Sequence, residues 1–153
     1  MSVTIALESP RQDGVIRLLD LSDAYAQSLY PPESNHLVDI STLEKPSVSF
    51  LVARNGSEIV GCCALVEAGD GTAEIKRMFV DPEARGLRVA SRLMDRLEEI
   101  GRAKGLEAIR LETGIYQPEA ISLYRKYGYI EIEPFGSYLL DPLSLFMEKR
   151  LTA

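Results

Sequence analysis

Thr72-Ala73-Glu74-Ile75-Lys76-Arg77-Met78-Phe79-Val80 runs straight into Asp81-Pro82-Glu83-Ala84-Arg85-Gly86-Leu87-Arg88-Val89-Ala90, and this junction decides the fold. The first nine residues read as a strand, which Asp81-Pro82 stops. Beyond Gly86 the apolar residues Val89, Leu93, Leu97 and Ile100 recur at spacings of four, four and three, the period of a helix, which Lys104-Gly105 closes. Leu106 to Glu112 is again strand-like. Strand, loop, helix and strand over residues 72 to 112 make a crossover that joins two parallel strands.

Working outward, the neighbouring elements are of another kind. Phe50 to Ala53 and Ile59 to Val66 are strands separated by Arg54-Asn55-Gly56-Ser57, a hairpin signal of the Asn-Gly type. Ala68-Gly69-Asp70-Gly71 is a second turn, so three antiparallel strands precede the crossover. Further upstream, Val3 to Leu7 alternates as a first strand, and Ser9-Pro10 with Asp13 signals a helix from about Gln12 to Leu29. Val15, Leu18, Leu19, Ala26 and Leu29 form its apolar stripe, and Pro31-Pro32 end it. The polar loop from Tyr30 to His36 leads into a short helix around Val38 to Leu43. Downstream, Pro118 opens a helix through Tyr127 that Gly128 ends, and Tyr129 to Glu133 and Leu143 to Lys149 are the last strands. The expected architecture is a single mixed α/β (α+β) domain over residues 1–153, with no linker, internal repeat or low-complexity tract.

Composition narrows the function. With 46% hydrophobic and 26% charged residues in 153, the chain is that of an ordinary globular domain with one packed core. Seventeen basic and 23 acidic residues leave a net charge of −6, which argues against nonspecific binding to nucleic acid or an anionic membrane. The apolar run Cys62 to Val66 is far below the roughly 18 residues of a membrane span, and Met1 to Ile5 lacks secretory-signal features, so the cytoplasm is the expected location. Cys62 and Cys63 are adjacent, a spacing that strains a mutual disulfide, and they read as reduced packing residues rather than as half of a Cys/His nucleophile with His36. A single histidine and no CxxC or HxxxH spacing point to metal-free chemistry. Neither GxxxxGK[ST] nor GxGxxG occurs, which removes the common nucleotide-binding loops.

The charge is uneven. Residues 76 to 104 hold eight basic and five acidic side chains, a local +3 in a chain whose remainder is −9. That excess reads either as a solvated helix face or as a site for a small anion. Arg85 to Ala90 lies where the free N–H groups and positive dipole end of a helix favour an anion.

Arg85-Gly86-Leu87-Arg88-Val89-Ala90 resembles the pyrophosphate loop of the GNAT superfamily of acyl-CoA-dependent N-acyltransferases, whose pattern is Arg/Gln-x-x-Gly-x-Gly/Ala. The likeness covers nearly the whole chain. Ala73 to Val80 resembles the family's fourth strand, Asp81-Pro82-Glu83 its lead-in, and Leu123-Tyr124-Arg125-Lys126-Tyr127-Gly128-Tyr129 its late helix and following strand. Two residues depart from the pattern: Arg88 stands at a loop glycine, and Gln117 stands where many members have Asn. The resemblance implies a mostly antiparallel sheet of six to seven strands, helices on both faces, and a splayed central parallel pair.

It also implies acetyl transfer from acetyl-CoA to a primary amine, directly within a ternary complex and without a metal. The backbone of Met78, Phe79 and Val80 would align the pantetheine arm, and the amides of Arg85, Gly86, Leu87, Arg88, Val89 and Ala90 would hold the pyrophosphate. Gln117 and Ala120 would touch the cofactor, and Tyr124 would be general acid to the leaving thiolate, although Ala120, Leu123, Tyr124 and Tyr127 also sit at the spacing of core packing. Glu74 is the candidate base, with an ion pair to Lys76 as its structural alternative. Alternation puts Glu74, Lys76 and Met78 on one strand face. Glu112 and Glu33 are reserve bases and, with Tyr30 and His36, the candidates for acceptor contact. Pro134 to Tyr138 is expected to form a further wall of that site. A small-molecule amine is the expected partner, the exposed terminal strands allow a homodimer, and a noncatalytic acyl-CoA-binding module is the competing reading.

Overall fold

The structure, a computed structural model, describes residues 3–34 and 38–151. Its elements are β1 (Val3–Leu7), α1 (Asp13–Leu29), α2 (Ile40–Leu43), β2 (Val48–Asn55), β3 (Glu58–Glu67), β4 (Thr72–Val80), α3 (Val89–Ala103), β5 (Ala108–Gly114), α4 (Pro118–Lys126), β6 (Ile130–Ile132) and β7 (Ser144–Arg150), with 3-10 turns at Pro32–Ser34 and Pro82–Ala84. The strands form one seven-stranded sheet in the order β1-β2-β3-β4-β5-β7-β6. Among the described residues only β4 and β5 pair in parallel, and α3 is the crossover between them. Among the described residues no helix is long and apolar enough to cross a membrane.

The sheet is buried on both faces, which explains the unbroken apolar run of β3. Cys63 and Leu65 point into the core beneath α3 and α4, with Leu93, Leu97 and Tyr129. Cys62 and Ala64 point into the core beneath α1 and α2, with Leu18 and Leu43. The adjacent cysteines therefore serve opposite faces as free thiols. Burial pushes the Cys62 thiol up to about 12 and that of Cys63 well above its ordinary value, so neither is poised as a nucleophile. On the α3 side, Gly61 allows the close approach, because a Cβ there would lie 2.7 Å from a methyl of Val89.

Element boundaries move for local reasons. The helix expected from Val38 begins at Ile40, since Asp39 caps it by accepting the Thr42 N–H at 2.9 Å. After β4 the chain makes a separate 3-10 turn, in which Asp81 accepts the Glu83 N–H at 3.0 Å. Gly86 and Arg88 then adopt left-handed conformations, φ 87° and 59°, so α3 starts only at Val89. Leu106 does not open β5, because its N–H closes α3 on Gly101 O at 3.0 Å. In α1 the buried stripe fades after Leu19. Its second half, through Ser22, Tyr25 and Ala26, walls a cavity instead of a core.

One irregularity in β4 corrects the expected side-chain pattern. Cys62 pairs with Phe79 but Ala64 pairs with Lys76, so Arg77 and Met78 together oppose Cys63 in a β-bulge. Arg77 takes φ 55°, a left-handed conformation that a non-glycine residue adopts at a cost of about 1–2 kcal/mol. Its side chain, 6% exposed, is held by a 3.0 Å hydrogen bond to Val38 O and a 2.5 Å ion pair with Asp23 of α1. Beyond the bulge the alternation is reversed. Met78 and Val80 join the α3 side, whereas Glu74 and Lys76, paired with Val66 and Ala64, lie on the α1 side. Glu74, Lys76 and Met78 therefore do not share a face.

Candidate active site

β4 and β5 pair only from Thr72 with Ala108 to Ile75 with Leu111. Past that point β4 continues through Val80 along β3, while Glu112 to Gly114 follow β7. The two strands diverge, and a wedge opens with peptide groups along both edges. A cavity of about 470 Å³ fills it, lined by Glu74 to Val80, Glu112 to Gly114, the second half of α1, and Gln117, Ala120, Leu123 and Tyr124 of the β5–α4 region. Most of the sequence candidates thus meet in one place.

Tyr124 is 6% exposed and packs edge-on to Tyr129, with ring centroids 5.9 Å apart. The core-packing reading and the cavity reading both describe it. Its hydroxyl makes no hydrogen bond with any described residue. Burial, and then the Cys63 thiol and the Glu112 carboxylate, push its phenol well above the usual range, so it is protonated at neutral pH.

On the other face of β4, Glu74 Oε2 accepts the hydroxyl of Tyr138 and faces Lys76 Nζ at 3.2 Å. Lys76 Nζ in turn donates to Tyr138 Oη at 2.6 Å. Glu74 and Lys76 are each 17% exposed, and Glu74 Oε1 takes no bond from a described residue. Burial first, then the hydrogen bond to Glu74, raise the Tyr138 phenol far above its ordinary value, fixing it as a donor.

Tyr30 is a strut. Its hydroxyl accepts the Tyr116 N–H at 3.0 Å and donates to Gln117 Oε1 at 3.3 Å, and its ring stacks on Tyr116 at 5.5 Å. Gly114 makes room for it, since a Cβ there would sit 1.8 Å from the Tyr30 hydroxyl oxygen. The end of α1 is thereby pinned to the β5–α4 turn. Glu112 lines the cavity and accepts from Ser144 Oγ at 2.7 Å. Glu33 is exposed on its 3-10 turn and lines a neighbouring cleft with Ser34, Lys76 and Tyr138. His36 lies outside the described residues.

Of the loop from Arg85 to Ala90, only Ala90 lines the cavity. Arg85, Gly86 and Arg88 are exposed at the start of α3, beyond the end of β4. Among the described residues no group of three or more His, Cys, Asp or Glu is placed to share a metal ion. Sequence reasoning missed Lys76 and Tyr138 as site residues, and also Arg77 and Tyr25. Tyr138 lay inside a segment expected to wall the site, which was its only signal.

The sequence model of the acetyltransferase (GNAT) family matches residues 15–129, from the first turn of α1 to the residue before β6. The chain belongs to the GNAT family. That membership makes it an enzyme of the acyltransferase class, as the resemblance implied, and the seven-stranded sheet with its splayed parallel pair is the GNAT fold. An IAA acetyltransferase of Azospirillum brasilense is 54% identical over 98% of this chain and 99% of its own. The uncharacterized N-acetyltransferase YsnE of Bacillus subtilis is 36% identical over 79% of this chain and 82% of its own. Among solved structures, a Klebsiella pneumoniae protein described as an acyl-CoA N-acyltransferase superposes with a TM-score of 0.83 at 35% identity, over 98% of both chains.

Proposed function

We propose that this GNAT enzyme transfers an acetyl group from acetyl-CoA to the primary amine of a small molecule, directly, while both substrates are bound. The observation that carries the reading is the wedge itself, with the Tyr124 hydroxyl unengaged on one side of β4 and the Glu74 carboxylate on the other. The acetyltransferase relative of Azospirillum brasilense supports the acetyl group, and the walled cavity supports a small acceptor. The peptide groups of Met78, Phe79 and Val80 that border the wedge lack β5 partners, which suits them to align an extended pantetheine arm. The first amides of α3, with Arg85 and Arg88 beside them, suit a diphosphate. Gln117 and Ala120 close the wall between them.

Chemically, the amine nitrogen forms a bond to the acetyl carbon as the carbon–sulfur bond breaks. Glu74 takes the amine proton, and the Tyr124 hydroxyl stabilises the departing sulfur. A thiolate is less basic than a phenolate, the parent acids having ordinary pKa values of ~8.5 and ~10, and burial widens that gap for Tyr124. A hydrogen bond that strengthens as charge builds on sulfur is therefore the larger part of its contribution.

Thiol release from acetyl-CoA, measured against amino acids, polyamines, aminoglycosides and peptides, tests the reading. Release with a small amine is the expected result. Tight coenzyme A binding with no release from any amine would support the noncatalytic module instead.

Arg88 gives a second test. It holds the left-handed conformation of the glycine it replaces, with an exposed side chain. Arg88→Gly relieves about 1 kcal/mol of backbone strain and adds a similar entropy to the unfolded chain, so the melting temperature should barely move. Coenzyme A binding should weaken by about 1–3 kcal/mol, more at low salt than at high, because a guanidinium contact to phosphate is lost. Calorimetry at two ionic strengths measures this, and equal or tighter binding would make Arg88 an obstacle rather than a ligand.

A further inference from the structure

The proposed transfer leaves open what kind of amine is accepted, and the contacts around Glu74 bear on that choice. The carboxylate is not alone in the cavity. Lys76 Nζ lies 3.2 Å from its Oε2, and Tyr138 Oη joins the two, donating to the carboxylate and accepting from the ammonium at 2.6 Å. The three groups close a triangle in which the positive and negative charges balance. Lys76 also lines both the cavity and the adjoining cleft, so it stands where the two spaces meet.

A plain alkylammonium that docks on Glu74 meets the Lys76 ammonium within a few ångström in a half-buried setting, where like charges repel strongly. The other acidic groups nearby offer little relief. Asp141 already accepts from Ser34 Oγ at 2.7 Å and from the Leu143 N–H at 2.8 Å. Glu112 accepts from Ser144, and Glu33 is exposed to solvent. Arg77, the other cation of the cavity wall, is balanced by Asp23. An acceptor that brings its own anionic group fits otherwise. Its carboxylate takes Lys76 and the Tyr138 hydroxyl, its nitrogen takes Glu74, and every charge in the triangle regains a partner of opposite sign or a hydrogen bond.

We infer that the acceptor is a small amine that also carries a carboxylate or similar anion, and that Lys76 and Tyr138 recognise that anion beside the base. This rests on the acetyltransfer reading above and adds the acceptor class to it. Recognition and proton removal are then linked, because drawing Lys76 and Tyr138 onto the substrate's anion releases Glu74 Oε2 from both contacts.

The test uses amines matched in carbon skeleton, L-phenylalanine against 2-phenylethylamine and β-alanine against propylamine. In the wild-type enzyme, kcat/KM should favour the carboxylate-bearing member of at least one pair by about tenfold or more, the worth of one hydrogen bond between charged groups. In Lys76→Gln that ratio should fall to near one, through loss on the acid-bearing amine and gain on the plain amine that Lys76 no longer repels, and Lys76→Arg should restore part of it. A wild-type preference for the plain amines overturns the inference without any variant, as does a ratio that Lys76→Gln leaves unchanged. Absence of release from every carboxylate-bearing amine also overturns it. If plain amines still react the transferase reading stands, whereas failure of all amines together with failure to bind coenzyme A removes both. Retained coenzyme A binding by calorimetry shows that each variant is folded.

Discussion

Tyr124→Phe is expected to lower kcat by about 10²- to 10⁴-fold while the affinity for coenzyme A hardly changes. The substitution removes one oxygen and nothing else. Since the hydroxyl bonds to no described residue, no hydrogen bond among the described residues is lost, and the ring keeps its edge-on contact with Tyr129 and its place in the core. A purely structural tyrosine would show the opposite pattern, with intact turnover and a shift in melting temperature. Steady-state kinetics beside calorimetry separates the two, and unaltered turnover would remove Tyr124 from the mechanism.

Glu74→Gln is expected to lower kcat near pH 7 by about 10²-fold and to change the shape of the acidic limb of the pH–rate profile. The amide oxygen still accepts from Tyr138 and Lys76, so geometry is kept and only the charge and the basicity are lost. Lys76 keeps its bond to Tyr138 but loses its opposite charge, a loss of stability that the melting temperature reads. Coenzyme A affinity should not move, because Arg85 to Ala90, the segment proposed to hold the pyrophosphate, lies beyond the other end of β4. An unchanged profile would pass the role to Glu112, Glu33 or water.

How far the fold was legible in the sequence follows from the range of the forces involved. Turn chemistry and periodicity are local, so the Asn55-Gly56 hairpin and the Val89, Leu93, Leu97, Ile100 stripe gave β2, β3 and α3 to within a few residues. The crossover gave the one parallel pair. The wedge and the residues Tyr124, Gln117 and Ala120 came from resemblance, and the structure gathers them around one cavity. What escaped was long-range. The left-handed Arg77 depends on Asp23 and Val38, residues 54 and 39 positions away, and no propensity of Arg foretells it. Tyr138 reaches Glu74 across 64 positions. Lys76 is legible as the ion-pair partner of Glu74, which it is, but its burial and its bond to Tyr138 belong to the folded neighbourhood.

The bulge at Arg77 also bears on how such a gene can change. In a strand whose side chains alternate, one surplus residue works like a phase shift, and here it sets Glu74 and Lys76 in antiphase with Met78 and Val80. Point substitutions along β4 leave that phase untouched and alter one contact at a time. Deleting the codon for Arg77 would remove only the surplus residue, leaving Met78 alone opposite Cys63 and Glu74, Lys76, Met78 and Val80 on the faces they hold, whereas deleting the codon for Ile75 would turn Glu74 away from the face of Lys76. A change of length in this strand therefore leaves the facing intact at the surplus residue and reverses it elsewhere.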